Sequence, residues 1–94
     1  MATVVDGDFE RDADKALANQ RKHGVSFVEA ATVFEDPHAL DAPDLETHER
    51  FVILGRSRLS RMLFVVHCER GRRVRIISAR VASRAQERLY EEGP

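Results

Sequence analysis

The sequence predicts an α+β fold in which an antiparallel β-sheet meander packs against two N-terminal helices and a third helix ends the chain. β-branched and aromatic runs are concentrated after residue 50, where short polar turns separate them. Helix-capping residues and helical apolar spacing occur before residue 36 and again after residue 82. The 94 residues suit one small domain, so we expect residues 1–94 to form a single unit.

The first half of the chain predicts one weak strand and two helices. Residues 1–10 hold short apolar pieces that can supply at most a short edge strand. Asp12 can cap a helix that ends at Gly24. Ser26 and Glu29 have the spacing of a capping box, which predicts a second, shorter helix that ends before a proline.

The second half predicts an acidic loop, three strands and a helix. Residues 37–49 indicate the loop, with a short strand near Ala39-Leu40; its two histidines lack a regular metal-ligand spacing. The strand-like runs are residues 51–56, 63–66 and 74–77. A capping box at Ser83 opens the last helix, which stops at a Gly-Pro pair.

The turn between the last two strands decides which side chains share a face of the sheet. A three-residue loop at residues 69–71 places Gly71 in a left-handed conformation and sets Cys68 opposite Arg72. That register makes Met62, Phe64 and Val66 a core face beside Val74, Ile76 and Ser78. A four-residue turn at residues 57–60 would set Arg56 opposite Arg61 and Arg50 opposite His67. The face opposite the core face then gathers Arg50, Arg56, Arg61, His67, Arg73 and Arg75. A two-residue loop would instead mix His67 with Val74 and Ile76 and scatter the arginines.

The distribution of charge favours a polyanionic partner. Residues 1–49 carry twelve acids and four bases, a balance of −8, whereas residues 50–94 carry four acids and eleven bases, a balance of +7. Thirteen of the fifteen basic residues are arginines, whose planar fork suits phosphate. The asymmetry favours nucleic acid, although acidic helices pairing with a basic sheet would give the same balance.

The remaining composition restricts the location and the chemistry. No apolar run is long enough to cross a bilayer and the N-terminus has no signal-peptide pattern, so we expect a cytoplasmic protein. Cys68 is the single cysteine, which excludes an internal disulfide and predicts a small core residue.

An arginine face with a histidine at its centre could cleave RNA without a metal ion or a cofactor. Such cleavage needs a base for the 2′-hydroxyl, an acid for the leaving oxygen and cations for the transition state. His67 and Glu69 are the acid and base candidates, and Arg50, Arg75 and Arg80 are candidates for charge stabilisation. Lys22, His23, Arg56, Arg61 and Arg73 are the candidates for RNA binding.

Each candidate also has a structural alternative. A strand histidine is more often structural than catalytic, and Glu69 can pair with a neighbouring arginine on the surface. Arg80 can brace the acidic half of the chain, while Lys22 and His23 can serve only to complete their helix.

Six blocks of sequence, spread over residues 8–92, form a recognisable pattern. The blocks are Phe9-Glu10-x-Asp12, Lys22-His23-Gly24-Val25-Ser26-Phe27-x-Glu29-Ala30, Glu49-Arg50-Phe51, Gly55-Arg56-Ser57, Val65-Val66-His67-x-Glu69-Arg70 and Arg75-Ile76-Ile77-Ser78-Ala79-Arg80. Together they resemble the BrnT family of bacterial toxins. Two positions depart from the family pattern: Arg11 replaces the usual Trp, and Cys68 replaces the usual Thr.

The resemblance implies a RelE-like fold and the toxin of a type II toxin–antitoxin system, which cleaves RNA and inhibits translation. It also implies a BrnA-type antitoxin with a ribbon-helix-helix DNA-binding domain. The toxin would then contact operator DNA only through this antitoxin. A second hypothesis keeps the fold without the enzyme: a non-catalytic arginine-rich module that binds nucleic acid or an acidic protein.

Overall fold

The structure, a computed structural model, describes residues 2–94; Met1, the first residue of the predicted edge-strand segment, lies outside the described residues. The strands are β1 (Thr3–Asp6), β2 (Phe9–Asp12), β3 (Leu40–Pro43), β4 (Arg50–Arg56), β5 (Met62–Arg70) and β6 (Arg73–Val81). The helices are α1 (Ala13–His23), α2 (Phe27–Thr32) and α3 (Arg84–Glu92), with a short 3₁₀ turn, Val33–Glu35, after α2. The predicted α+β class is confirmed.

The six strands form one mixed sheet in the order β1-β2-β6-β5-β4-β3. All neighbours are antiparallel except β2 and β6, which run parallel and pair Glu10 with Arg75. The N-terminal segment therefore supplies two strands, a hairpin, where the sequence predicted at most one. This parallel pairing joins the two ends of the described chain and places the start of α1 beside the strand that carries most arginines.

The helices begin and end at the residues whose side chains satisfy their free backbone groups. Asp12 accepts hydrogen bonds at the start of α1, and Gly24 ends that helix with a φ of +69°, as the sequence predicted. Ser26 caps α2 by accepting from the backbone N–H of Glu29 at 3.0 Å. The Glu29 side chain does not complete a capping box, because it binds Arg61 and Ser57 instead.

One face of the sheet, called the covered face below, packs against α1 and α2. Its core consists of Val25, Phe27, Ala30 and Val33 from the helical side and Ile53, Leu63, Val65, Ile76 and Ala79 from the sheet. Buried Asn19 fastens α1 to this face, because its amide donates to the Ala79 carbonyl at 2.8 Å and accepts from the Ala79 N–H at 3.1 Å.

The opposite face, called the open face, is covered by α3 at one end. Leu54 and Met62 pack there with Ala82, and Tyr90 of α3 contacts them. The Tyr90 hydroxyl donates to Asp36 at 2.7 Å, which fixes the end of α3 to the loop after α2. The rest of the open face remains available to a ligand or a partner.

The predicted register between β5 and β6 is wrong. Arg70 pairs with Arg73, so the turn has two residues, and Gly71 occupies the first of them with a φ of +62°. An irregularity between Val66 and His67 adds one further residue on the β6 side, so that Val66 faces Ser78 while His67 faces Ile76. The two-residue turn therefore changes which β5 side chains share a face with residues 73–76, and the bulge restores the predicted grouping from Val66 and Ser78 onward.

The register between β4 and β5 also differs by one residue from the prediction. Arg56 pairs with Met62 instead of Arg61, and Arg50 pairs with Cys68 instead of His67. The reason lies in the turn: Ser57 donates its N–H to the Arg61 carbonyl at 2.8 Å, and Ser60 adopts a φ of +63°. That hydrogen bond closes the loop one residue later than predicted.

The predicted core face and arginine face are both corrected by these registers. The core side of β5 is Leu63, Val65 and His67, whereas Phe64, Val66 and Cys68 lie on the open face. His67 and the arginines of β4, β5 and β6 therefore occupy opposite faces of the sheet. None of the helices in the described part of the chain is long and apolar enough to span a membrane.

Candidate functional site

The open face carries a depression of about 310 Å³, called the arginine cleft below, at the end of the sheet distant from α3. Its basic side chains are Lys15, Arg50, Arg70 and Arg75, and its acidic ones are Asp12, Glu49 and Glu69. His48 and the part-exposed Cys68 complete its polar lining. Cys68 is thus a cleft residue and not the small core residue that the sequence predicted.

Arg75 is held in the cleft by a buried carboxylate on the neighbouring strand. Its Nη1 donates to Glu10 Oε1 at 2.8 Å, and the two side chains are 17% and 9% exposed. Arg70 approaches the same oxygen at 3.9 Å. Because Glu10 pairs with Arg75 in the β2–β6 register, its carboxylate holds this guanidinium in a fixed orientation.

Lys15 reaches the cleft because α1 begins at its edge. Asp12, 3% exposed, accepts the backbone N–H groups of Asp14 at 2.9 Å and Lys15 at 3.2 Å. The hydrogen bond from Lys15 is the largest cause that lowers the pKa of Asp12 below its ordinary value. Asp12 therefore remains ionised as it fixes the first turn of α1 and places Lys15 beside the strand arginines.

The loop between β3 and β4 supplies the opposite wall of the cleft. Glu49 has a φ of +70°, a conformation unusual for a residue with a side chain, immediately before β4 begins at Arg50. Arg50 lies directly opposite Cys68 on β5, and Cys68 in turn lies opposite Arg75 on β6. Two guanidinium groups thus flank one central strand position.

Of the five residues predicted to be catalytic, Arg50 and Arg75 lie together in the cleft, and Glu69 borders it at the exposed end of β5, where it pairs with Val74. Arg80 lies further along the open face, with its guanidinium carbon 4.6 Å from the centre of the Phe64 ring. His67, the fifth, lies on the covered face.

The residues predicted to bind RNA are dispersed. Arg73 pairs with Arg70 at the rim of the cleft, whereas Arg56 lies 6.0 Å from the Tyr90 ring at the other end of the face. Arg61 binds Glu29 on the covered face. Lys22 and His23 end α1, about 10 Å along the helix axis from Lys15. The predicted single surface therefore does not include Arg56, Arg61, Lys22 or His23.

The environment of His67 is that of a core residue. The ring is 9% exposed, its centre lies 4.8 Å from that of Phe34, and it stacks on Phe51 at 5.9 Å. Among residues 2–94 neither ring nitrogen has a hydrogen-bond partner. Burial is the main cause that lowers the pKa of His67, although Asp41 and Glu69 act in the opposite direction. A phosphate bound on the open face does not reach this imidazole.

His67 should make the protein less stable in mild acid. Its folded pKa is lowered, so below about pH 6.5 the unfolded chain binds a proton that the folded chain does not, and the free energy of unfolding falls. Between pH 7 and 5 we expect the His67→Leu variant, of similar volume, to lose less stability than the wild type in urea unfolding. Equal losses would show that the imidazole is not buried in its neutral form.

Several cleft residues were not predicted from the sequence. Lys15 and Asp12 look like an ordinary helix start, and only the parallel pairing of β2 with β6 brings them to the arginines. His48 is one of two loop histidines that lack a regular metal-ligand spacing; among the described residues no group of three or more His, Cys, Asp or Glu side chains is placed to hold a metal ion. The density of Arg after residue 50 was the signal that did identify this face.

The position where the family usually has Trp lies away from the cleft. Arg11 borders a small depression of about 150 Å³ formed with Phe27, Val28 and Ala31 of α2, on the covered side of the sheet. The departure at Arg11 therefore lies outside the arginine cleft, whereas the departure at Cys68 lies within its lining.

Comparison with known proteins agrees with the architecture. A family model described as the ribonuclease toxin BrnT of type II toxin–antitoxin systems matches residues 12–86. None of the curated proteins matches. The crystal structure of the Brucella abortus ribonuclease toxin BrnT is similar in fold, with a TM-score of 0.65 and 23% identity over 79% of this chain and 94% of that one. The chain belongs to the BrnT family of toxins of type II toxin–antitoxin systems.

Proposed function

We propose that this chain is a cytoplasmic endoribonuclease toxin of the RelE-like type, which cleaves RNA without a metal ion and thereby inhibits translation. The observation that carries the proposal is the arginine cleft, where four cations, three carboxylates and one imidazole line a single depression on an open sheet. Cations bind the phosphate backbone irrespective of sequence, and the acid and base groups beside them supply proton transfer.

The proposed reaction is an attack by the 2′-hydroxyl of RNA on the adjacent phosphorus. The new O2′–P bond gives a 2′,3′-cyclic phosphate, the P–O5′ bond breaks, and the 5′-oxygen leaves as a hydroxyl. Arg50 and Arg75, which flank Cys68, bind the phosphate and stabilise the negative charge that develops on its oxygens. Lys15 supplies a further positive charge at the edge of the cleft.

Two side chains of the cleft are suited to move the protons. A carboxylate of the cleft accepts the proton from the 2′-hydroxyl, and His48 donates one to the leaving 5′-oxygen. Imidazole is the side chain that changes charge closest to neutral pH, which suits a group that must be reprotonated after each reaction. His67, enclosed by Phe34 and Phe51, supports the sheet beneath the cleft and does not contact RNA in this proposal.

An antitoxin is the expected partner, because the family belongs to type II systems. We propose a BrnA-type antitoxin with a ribbon-helix-helix domain that binds operator DNA, and an acidic segment that covers the arginine cleft. Eleven of the fifteen basic residues follow residue 49, so the attraction is electrostatic and weakens with salt.

The test is incubation of the purified, antitoxin-free chain with total RNA in EDTA. We expect cleavage by the wild type and by Arg72→Ala, which removes a positive charge from the β5–β6 turn outside the cleft. We expect no detectable cleavage by Arg50→Ala, with folding verified by thermal melting. Equal cleavage by both variants would place the active site elsewhere.

The same experiment addresses the second hypothesis. If the wild type binds RNA but leaves it intact, translating ribosomes are added next, and cleavage at that stage would identify a ribosome-dependent enzyme. RNA that remains intact in both assays would contradict the enzyme and favour the non-catalytic binding module.

A further inference from the structure

A second depression lies next to the arginine cleft on the open face. This depression, called the loop groove below, has a volume of about 680 Å³. Val52, Phe64 and Val66 line it from the sheet, residues 42–46 of the β3–β4 loop form its wall, and Arg80 closes one side. None of these side chains lines the arginine cleft.

Arg80 is held with its guanidinium over the Phe64 ring, 4.6 Å from the ring centre. The two residues are direct partners across β5 and β6. Nη1 of Arg80 donates to Gln86 Oε1 at 3.0 Å and to the Val81 carbonyl at 3.3 Å. Gln86 is itself fixed, because the same oxygen accepts the N–H of Ser83 in the capping box of α3. The guanidinium is thus oriented before any ligand binds.

The loop groove continues the arginine cleft along the same strands. Cys68 lies in the cleft, and Val66 and Phe64 follow on the same face of β5. Phe64 and its partner Arg80 therefore lie about 13 Å along the strand from Cys68. An extended RNA strand spans that distance with one or two nucleotides. A strand bound by its phosphate in the cleft therefore passes the loop groove.

The charges of the loop groove favour a neutral group with hydrogen-bond donors. Asp44 and Glu46 line it together with Arg80, so a phosphate or an acidic peptide would meet two carboxylates. A nucleobase carries no charge, stacks on guanidinium planes and apolar side chains, and can donate from an exocyclic amino group to a carboxylate.

We propose that the loop groove is a nucleobase subsite, which binds a base one or two nucleotides from the cleaved bond. The base stacks on the guanidinium of Arg80, and Asp44 or Glu46 accepts a hydrogen bond from its amino group, which favours cytosine over uracil. This inference rests on the proposed function, because it assumes that RNA occupies the arginine cleft.

Binding of 2′-O-methyl decamers, which lack the attacking hydroxyl, tests the subsite by fluorescence anisotropy in EDTA. We expect the wild type to bind a cytidine decamer about tenfold more tightly than an abasic decamer with the same phosphates. The Arg80→Lys variant keeps the positive charge but lacks the planar guanidinium. Its affinity for the cytidine decamer should fall to its affinity for the abasic decamer, which should stay at the wild-type value. In the Glu46→Gln variant the ratio of the affinities for the cytidine and uridine decamers should be smaller than in the wild type.

Three results would overturn the subsite. An equal loss for the cytidine and abasic decamers in Arg80→Lys would make Arg80 a phosphate contact. No change in either affinity would show that Arg80 does not stack on a base, and would favour a protein partner for the groove. A wild type that binds every decamer with equal affinity would exclude base recognition. The proposed function fails separately, when the wild type neither binds the abasic decamer nor cleaves total RNA.

Discussion

Replacing Arg75 with alanine is expected to lower kcat/KM for RNA cleavage by about 10²- to 10³-fold, the loss typical when one group that stabilises transition-state charge is removed. Arg75 is 17% exposed and fixed by Glu10 at 2.8 Å, so its guanidinium is oriented before RNA binds. An ordered cation stabilises developing charge without reorganisation, which is why the loss should appear in kcat more than in KM.

Matched variants separate the charge, the geometry and the fold. Arg75→Lys keeps the charge but loses the planar fork, and should recover only part of the activity. Arg73→Ala removes an exposed arginine two residues away on the same face, at the rim and outside the lining of the cleft, and should cost less than tenfold. Because Arg75→Ala leaves the Glu10 carboxylate buried without its main partner, the double variant Glu10→Gln/Arg75→Ala is needed to restore stability.

The outcome of this series is informative in each direction. A folded double variant that remains inactive would assign the loss to Arg75 and not to unfolding. Similar kcat/KM values for Arg75→Ala, Arg73→Ala and the wild type would contradict a catalytic role for the cleft. Single-turnover cleavage of a labelled RNA measures the activity of each variant, and melting temperatures measured in parallel report its stability.

Local signals in the sequence predicted the helices because the groups that determine them lie within a few residues. Asp12 and Gly24 bound α1, and Ser83 with Gln86 forms the predicted capping box of α3. Each of these caps depends on short-range backbone geometry, which residue type alone constrains strongly.

The register of the strands could not be predicted in the same way. Gly71 suits the three-residue and the two-residue turn equally, and the choice decides which β5 side chains share a face with residues 73–76, as far as the bulge after Val66. Apolar side chains gave no guidance, since Leu63 and Val65 alternate with Phe64 and Val66, so both faces of β5 look buried. The covering helices decide between them, through contacts that are distant in sequence.

The candidate site was predicted only in part, because arginine content can be read from the sequence but strand register cannot. The excess of arginine after residue 50 identified a basic sheet, because composition is independent of register. The choice of His67 as the central group depended on the register and places it on the wrong face. Lys15 and His48 join the cleft through the β2–β6 pairing and the β3–β4 loop, neither of which has a local signal.

Replacing Arg61 with alanine is expected to lower the free energy of unfolding by about 3 kcal/mol, near the lower limit for a buried ion pair that loses one partner. Glu29 is 5% exposed at its side chain, and Arg61, at 37%, admits some water that moderates the loss. For a domain of this size the melting temperature should fall by roughly 10 to 20 °C.

The structural reason is that this pair joins α2 to the turn between β4 and β5. Arg61 donates from Nε to Glu29 at 3.0 Å and from Nη2 to the Gly24 carbonyl at 3.0 Å, while the Ser57 hydroxyl donates to the same carboxylate at 2.7 Å. Removing the guanidinium leaves a buried carboxylate with the serine as its remaining partner among these groups. The double variant Glu29→Gln/Arg61→Ala should therefore recover part of the lost stability.

Arg58→Ala is the matched control, because it removes the same type of side chain from the same turn. Arg58 binds Glu35 at 2.7 Å, but the two side chains are 72% and 55% exposed, and such surface pairs contribute about 0–1 kcal/mol. Equal destabilisation by Arg58→Ala and Arg61→Ala would show that burial of Glu29 does not determine the effect.

Acid provides an independent check on the same pair. The hydrogen bond from Arg61 is the largest cause that lowers the pKa of Glu29, so its contribution is complete above about pH 4.3 and is lost as the pH falls through the folded value. Between pH 5 and 3 the wild type should therefore lose more stability than Arg61→Ala. Since Arg61 lies on the covered face, RNA binding by the folded variant should match the wild type, and weaker binding would instead support Arg61 as an RNA contact.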